Sequence, residues 1–278
     1  MLEKLLKKDL DEFQLKLLLH YVEKLKNIRI LLSESFRAAG IDGPIKPGEL
    51  NYHFAEMNKY NRLTSLEKNI AEEIKDLSGI SIKQINNQLV NTYGLSFEKT
   101  IEAINAGLNI SIKFQKIPRS VVLESIKNPY DRVGWNWRTA GHHLKSIDLI
   151  KSEITNGLIE GKGYLQTAAD IKVKVDNLAN NITRIVRTES HRVQQLGRLD
   201  SIKESEKSAK KLGIKLKRKW IAILDSKVRD QHYQMNGQIA DDDNLFHFPD
   251  GNTTEAPCIS GIAHHDINCR CQIISTLG

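Results

Sequence analysis

The chain has 278 residues, of which 40% are hydrophobic and 27% charged, so it is long and apolar enough to build a substantial core. Its many Leu, Ile, Lys and Glu residues, with only 6% aromatic residues, predict a mainly helical protein. The formal net charge of +7 permits contact with nucleic acid without establishing it.

Cysteine usage excludes a secreted disulfide scaffold, which would have more cysteines spread more widely. The three that occur, Cys258, Cys269 and Cys271, all lie close together near the C-terminal end of the sequence. The sequence shows neither the apolar core of a signal peptide nor a run of about 18 apolar residues that could span a membrane. We therefore expect no membrane contact and synthesis in a reducing cytoplasm.

The first predicted element is an amphipathic helix over residues 2–38, because apolar residues from Leu2 to Leu32 recur every three or four positions. Its apolar stripe either packs on the protein's own following helices or forms a coiled coil with a partner. The glycines and prolines between Gly40 and Gly48 then predict a linker or an exposed turn.

The middle of the chain is predicted to hold several shorter helices. Residues 64–67 form a capping box that would open a helix ending near Gly79. Gly94 would end the next helix, which would start at residue 81. Further helices are predicted at 119–126 and at 138–156.

A long helix from about Asn181 to Leu212 comes next, with Gly213 placed to end it. The alternating and apolar residues of 214–223 then predict a strand. Asp225 is placed to cap a short helix that runs to Met235. Short strands at 246–248 and 268–275 would complete a small lobe.

The expected fold is therefore mainly α with a small α+β C-terminal lobe, and with an elongated helical N-terminal and middle region. Three consecutive segments are predicted: an N-terminal helix with its linker at 1–50, a helical middle region at 51–180, and a C-terminal domain at 181–278.

The C-terminal segment carries an ordered set of short motifs. In chain order these are Arg187-Thr188-Glu189, Lys219-Trp220, Asp225-x-x-Val228-Arg229-x-x-His232, Asn236-Gly237-Gln238, Phe248-Pro249 and Asn268-Cys269-Arg270-Cys271. Each motif alone is weak, but in this order and spacing the set resembles the Mu F-like phage head-morphogenesis domain.

The resemblance implies a bacteriophage minor head protein without catalytic function, acting in procapsid assembly and in DNA packaging or ejection. It implies the portal protein and other capsid or scaffold proteins as partners, together with nonspecific contact with double-stranded DNA. The location that it implies is the interior of the capsid in the virion, and the host cytoplasm during assembly.

A zinc site is one interpretation of the clustered cysteines. Cys269 and Cys271 stand two apart on a predicted strand and so project from one face. Tetrahedral zinc takes four Cys or His ligands. The candidate ligands are His232, Cys258, Cys269 and Cys271, with His264 or His265 as alternatives to Cys258. Ordinary buried thiols and hydrogen-bonded histidines would produce the same pattern, so zinc stays a candidate cofactor.

A structural polar network is predicted from Arg187, Glu189, Asp225, Arg229 and His232. The last three stand at helical steps of four and three, which would let Asp225 cap the helix and pair with Arg229. A His beside a carboxylate is also a general-base arrangement, but no nucleophile accompanies this set.

Positive charge is concentrated in residues 184–219, which hold twelve basic and four acidic residues, whereas 220–278 hold three basic and eight acidic ones. A row of alternating lysines on one strand suits phosphate contacts, and it equally suits an edge strand that lysines protect from aggregation. The candidate DNA-contact residues are Lys210, Lys211, Lys215, Lys217, Arg218 and Lys219.

Two other classes of function compete with the structural one. The first is an enzyme, either a metal-dependent nuclease or a transferase-type toxin carried on a phage head protein. His264-His265-Asp266-x-Asn268 suggests a nuclease but lacks the second spaced His that such a metal motif needs. The other is a helical adaptor whose Leu-rich N-terminal helix binds another protein's groove.

Overall fold

A computed structural model describes residues 2–41, 45–46, 48–58, 61–108, 119–127 and 134–278. The elements in chain order are α1 (Leu2–Ala38), α2 (Leu50–Asn58), α3 (Arg62–Leu108), α4 (Arg119–Lys127), α5 (Trp135–Ile159), α6 (Tyr164–Lys211), β1 (Leu216–Ile221), α7 (Asp230–Gln234), β2 (Phe246–His247), β3 (Thr253–Thr254), α8 (Ala263–Asp266) and β4 (Gln272–Leu277). The expected fold class, mainly α with a small α+β C-terminal lobe, is confirmed. Within the described ranges, no helix is long and apolar enough to cross a membrane.

The chain divides into two compact units, each discontinuous in sequence. Unit 1 comprises Met1–Asp11, Ile85–Trp135 and Val186–Gly278, and unit 2 comprises Glu12–Gln84 and Asn136–Ile185. The sequence predicted three consecutive segments, whereas each of these units combines stretches that are distant in sequence. All the residues of the candidate site lie in unit 1.

In unit 2, α1 packs its apolar stripe against the protein's own helices. Tyr21, Ile28 and Leu32 are at most 3% exposed. Lys24 of α1 forms ion pairs with Glu73 and Asp76 of α3, at 2.9 and 2.5 Å. The helix predicted over residues 2–38 is confirmed, and its predicted packing on following helices is the arrangement found.

The central helix α3 is continuous, and the predicted helix ends at Gly79 and Gly94 are wrong. Neither glycine has a positive φ, and a Cβ at either position would meet nothing within 4 Å. A helical glycine costs only about 1 kcal/mol relative to alanine. Burial of the apolar stripe that contains Ile74, Leu77 and Ile85 outweighs that cost, so packing decides the helix length.

The helix α6 begins at Tyr164, much earlier than the predicted start near Asn181. Ile171, Val175 and Leu178 continue its buried stripe toward the N-terminus and are at most 2% exposed. Its end agrees with the prediction: Gly213 has φ +74°, a left-handed conformation that favours glycine after a helix. The predicted helices at 119–126 and 138–156 correspond to α4 and α5.

In unit 1, α6 lies close against α3 because Gly197 has no side chain. A Cβ built on Gly197 would lie 2.7 Å from the carbonyl oxygen of Tyr93. On either side of this contact, Ser96 Oγ donates a hydrogen bond to the Gln194 carbonyl (2.8 Å) and Ser201 Oγ donates to the Phe97 carbonyl (3.1 Å). This helix pair supports the C-terminal lobe, defined here as residues 212–278.

The C-terminal lobe is held together by the pairing of β1 with β4. The strands are antiparallel, with Leu216 opposite Leu277 and Ile221 opposite Gln272, and Ile239 adds an isolated bridge to Lys219 on β1. The strand predicted at 214–223 is therefore confirmed. The last strand begins at Gln272 instead of residue 268, and a second, two-residue ladder joins β2 to β3.

The short helix α7 begins at Asp230 with Arg229 at its N-cap, so the predicted cap at Asp225 is wrong. The physical reason is a local turn. The Asp225 carboxylate accepts a hydrogen bond from Lys227 N–H at 3.0 Å, and Val228 N–H donates to the Asp225 carbonyl at 3.1 Å. An aspartate that bonds the backbone two residues onward favours a turn over a helix start.

Candidate functional site

An aromatic cluster centred on Trp220 forms the floor of the candidate site. Trp220 is 0% exposed and makes edge-to-face contacts with His232, Phe246 and Phe248, with ring centroids 6.0, 5.3 and 5.7 Å away. Such contacts add to the burial of apolar area and fix ring orientations. The cluster therefore sets the position of the His232 imidazole, which α7 brings over the strand pair.

The His232 imidazole faces two thiols. Its Nδ1 lies 3.4 Å from the Cys271 Sγ and 3.7 Å from the Cys269 Sγ. His232, Cys269 and Cys271 are all buried, and their ligand atoms lie within 4.8 Å of one another. Within the described part of the chain, the second ring nitrogen, Nε2, has no hydrogen-bond partner. The structure therefore brings together three of the four predicted zinc ligands.

Cys258, the fourth predicted ligand, lies beside Cys269. It is 3% exposed, and its thiol shares a hydrogen bond with the Cys269 thiol. Its φ of +65° is unusual for a residue with a side chain. All three cysteines are free thiols. His264 and His265, the sequence-based alternatives, belong to a second cluster with Asp250, although the His265 ring stacks at 5.7 Å from the His232 ring.

Burial and mutual contact hold these thiols in the protonated form. Burial raises the pKa of the Cys258 thiol. The hydrogen bond with Cys258 raises the pKa of Cys269, and the hydrogen bond with Cys269 together with burial raises that of Cys271. Thiolates would become favourable here only beside a cation that offsets their charge.

A second cluster joins Asp250 to the pair His264 and His265. The Asp250 carboxylate lies 2.9 Å from His265 Nε2 and 3.4 Å from His264 Nε2. His265 is 1% exposed and stacks on Phe248 at 3.7 Å, whereas His264 is exposed. Although burial acts to raise it, hydrogen bonds from Asn252 and the two histidines hold the pKa of Asp250 at about 2.

The predicted network of Arg187, Glu189, Asp225, Arg229 and His232 does not form one set of contacts. Asp225 and Arg229 precede α7 instead of sharing a helix face with His232, so the expected Asp225–Arg229 pair is replaced by two separate contacts. Asp225 binds Arg270 through two hydrogen bonds of 2.6 Å. Arg229 donates to the carbonyls of His265 and Ile267.

The α6 part of that network is a separate buried ion pair. The Glu189 carboxylate accepts a hydrogen bond from Arg192 Nε at 2.8 Å, with side chains 1% and 6% exposed. Arg192 also donates to the Ile126 carbonyl of α4 at 2.8 Å. Arg187 lies on the exposed side of the helix. The Glu189 carboxylate is therefore paired within its own helix and not with the other members of the predicted network.

Sequence reasoning missed the contacts of two residues that shape the site. Arg270, between the two cysteines, is the partner of Asp225, and no helical spacing could have revealed a contact across 45 positions. Asp266 is buried and accepts hydrogen bonds from Ser260 N–H (3.2 Å) and Oγ (2.8 Å) and from Gly261 N–H (2.8 Å). The Ser-Gly pair ahead of an aspartate was the available signal for that turn.

Of the basic candidates, Arg218 differs from the lysines. It is 3% exposed and pairs with Glu206 at 2.9 Å and with Glu255 at 3.6 Å, so its charge is committed inside unit 1. Lys210, Lys211 and Lys215 are exposed, and Lys217 and Lys219 are half-buried.

Comparison with known proteins places this lobe and its long preceding helix in a defined class. Residues 148–274 match the family described as Phage Mu protein F like protein. Residues 148–274 are thus similar to a Mu F-like phage head domain, and the resemblance inferred from the C-terminal motifs is confirmed.

Two relatives extend the comparison beyond this domain. The chain is 28% identical over 258 residues to minor head protein GP7 of Bacillus phage SPP1, covering 91% of this chain and 79% of that protein. It is 26% identical over 229 residues to the NAD(+)--arginine ADP-ribosyltransferase EFV of Enterococcus faecalis, covering 82% of this chain but only 44% of that protein. No solved structure matches the chain.

Proposed function

We propose that the protein is a minor component of a phage head, that it acts in procapsid assembly and in DNA packaging or ejection, and that it is not an enzyme. The observation that carries the proposal is the extent of the likeness to a minor head protein, which covers 91% of this chain. Such an alignment includes helical regions as well as the C-terminal domain, which supports a head function for more of the chain than that domain alone.

The proposed partners are the portal protein and other capsid or scaffold proteins, inside the capsid of the virion and in the host cytoplasm during assembly. Exposed apolar side chains on α1 support a protein partner. Leu15, Leu19 and Val22 are 62%, 59% and 64% exposed. An exposed apolar stripe of this kind suits docking against another protein's helices.

Quantitative mass spectrometry of purified procapsids and virions tests the proposal. We expect the protein in both, at fewer copies than the major capsid protein, and cross-linked to the portal protein. Leu19→Glu should weaken that cross-link, whereas Leu165→Glu, at a 76% exposed position on α6, serves as the matched control. Absence of the protein from both particles would refute the proposal.

Contact with DNA is proposed through the exposed and half-buried lysines of the basic segment. Arg218 is left out of this set, because its guanidinium is paired with two carboxylates. The remaining residues are Lys210, Lys211, Lys215, Lys217 and Lys219. Lysines in such a row neutralise phosphates without reading bases, so the binding is nonspecific.

An ADP-ribosyltransferase is the second candidate, because one relative bears that name. The alignment covers only 44% of that relative, and it necessarily overlaps on this chain with the alignment to the minor head protein. A segment common to both proteins does not by itself specify group transfer. We expect no transfer from labelled NAD(+) to an arginine analogue, and incorporation above the protein-free blank would favour the enzyme.

A further inference from the structure

Three segments of the C-terminal lobe bring metal-binding groups to one buried point. His232 comes from α7, Cys258 from the loop before α8, and Cys269 and Cys271 from the segment before β4. His232 meets Cys269 and Cys271 although these cysteines lie 37 and 39 residues further along the chain. Core packing alone does not require two sulfur atoms to converge on one imidazole with a third, that of Cys258, beside the Cys269 thiol.

The spacing of the groups agrees with a tetrahedral ion. With Zn–S near 2.3 Å and Zn–N near 2.0 Å, ligand atoms at tetrahedral angles lie about 3.6 Å apart. The distances from His232 Nδ1 to the sulfur atoms of Cys271 and Cys269 are 3.4 and 3.7 Å. Cys258 lies outside this set of mutually close ligand atoms, beside the Cys269 thiol, and would supply the fourth corner by moving its thiol toward the ion.

Neighbouring groups already hold the ligand-bearing backbone in position. His191 Nε2 lies 3.0 Å from the Cys271 carbonyl oxygen, and Cys269 N–H donates to the Asp266 carbonyl at 3.1 Å. A ligand set fixed by a supporting shell binds metal with a smaller entropy cost. The cavity lined by His232, Cys269 and Cys271 has a volume of about 20 Å³ and also has Arg229 and Arg270 on its wall.

These arginines bear on the charge of the ion site. Three thiolates and one divalent ion together carry one net negative charge. The guanidinium of Arg229 acts electrostatically on Cys258, and that of Arg270 on Cys269 and Cys271. Because the Arg270 guanidinium is already paired with Asp225, the charge that offsets this remainder is that of Arg229, which donates to two backbone carbonyls.

We propose that Cys258, Cys269, Cys271 and His232 bind one zinc ion that cross-links the three segments of the C-terminal lobe. Thiolate and imidazole ligands in a tetrahedral arrangement select zinc over magnesium or calcium, which take oxygen ligands. With four protein ligands the ion has no open position, so its role is structural. The site goes beyond the proposed head function and does not depend on it.

Metal analysis of the full chain tests the site. Protein purified from zinc-supplemented cells should contain one zinc per chain, and exchange for cobalt should give thiolate-to-cobalt charge-transfer absorption with the visible bands of a tetrahedral ion. Protein that binds no zinc, or that binds cobalt without thiolate absorption, would overturn the proposal. So would a disulfide between any two of the cysteines.

Matched variants locate the ion. His232→Ala should weaken zinc binding by more than the roughly 10- to 100-fold that is typical of changes outside the ligand shell. His232→Cys should restore one zinc per chain and intensify the cobalt–thiolate absorption, an outcome that a purely structural histidine would not produce. His264→Ala, in the Asp250 cluster, should leave stoichiometry and spectrum unchanged; if it abolishes binding instead, the ion belongs to that cluster.

Discussion

The contribution of a charged residue to the stability of this protein depends on how deeply its ion pair is buried. Two pairs on α6 have the same spacing of three residues. Glu189 and Arg192 are 1% and 6% exposed, whereas Glu204 and Lys207 are 46% and 69% exposed. Removing one partner of a buried pair leaves an uncompensated charge, while exposed pairs contribute little.

We therefore expect Glu189→Gln to lower the free energy of unfolding by about 3 kcal/mol. Glu204→Gln is the matched control on the same helix, and we expect it to change that free energy by less than about 1 kcal/mol. Urea denaturation followed by circular dichroism measures both values. Equal effects from the two variants would contradict the role assigned to burial.

Asp225 gives a prediction about pH. The hydrogen bonds from Arg270, followed by that from Lys227 N–H, lower the pKa of its carboxyl to about 2. A folded-state pKa below the unfolded value of about 3.9 contributes stability that is complete above that value and is lost as the pH falls toward 2.

The difference in stability between the wild type and Asp225→Asn should thus be constant above about pH 5 and shrink between about pH 4 and pH 2. Denaturation midpoints across this range measure it. Arg270→Gln should move the Asp225 carboxyl titration, followed by NMR, back toward the ordinary range. An unchanged titration in that variant would show that Arg270 is not the cause.

At the scale of elements, tertiary packing decided what local sequence signals could not. Helix identity was predictable, since α1, α4 and α5 lie close to their predicted ranges. The lengths of α3 and α6 were not: isolated glycines such as Gly79 were interpreted as helix ends in α3, and the start of α6 was placed too late. The apolar stripe of α6 before Asn181 was visible in the sequence, and its continuity was the signal that should have extended the helix.

The candidate site was predictable in its residues but not in all its contacts. The spacing of Cys269 and Cys271 placed both thiols on one side, and they do face His232. The Arg270–Asp225 pair could not be predicted from the sequence, because it depends on how the segment before β4 folds back on the turn after β1.

The contact between α3 and α6 yields an element-scale prediction. Gly197→Ala should destabilise the protein by about 1–3 kcal/mol, because the added Cβ would overpack a close backbone contact. It would lie 2.7 Å from the Tyr93 carbonyl oxygen and 3.2 Å from the Ser96 Cβ.

Gly94→Ala is the control for that substitution, since a Cβ at Gly94 would meet nothing within 4 Å. It should stabilise the protein by up to about 1 kcal/mol through helix propensity. Thermal unfolding of the two variants should move in opposite directions. A stabilising Gly197→Ala would show that the two backbones are not in close contact.

At the scale of the whole molecule, a net charge of +7 suits attraction to a polyanion, but its placement decides where binding occurs. Replacing Lys215, Lys217 and Lys219 with alanine should weaken binding to a short DNA duplex and lower the slope of log affinity against log salt by up to about 2.7. Fluorescence anisotropy at several salt concentrations measures this slope.

The control for the DNA experiment removes the same charge elsewhere, through alanine at the exposed residues Lys7, Lys16 and Lys26 of α1. We expect its salt slope to stay at the wild-type value. Equal losses in both triple variants would indicate attraction by overall charge alone, without a preferred surface.

The pairing of β1 with β4 also bears on how the chain is synthesised. β1 leaves the ribosome before its partner strand exists, so the backbone groups on the edge that faces β4 stay unpaired until residues 272–277 emerge. An unpaired strand is a template for aggregation, and lysines at intervals along it discourage association with neighbouring nascent chains. We therefore expect the lysines of this strand to protect the nascent chain from aggregation during synthesis, independently of any contact with DNA.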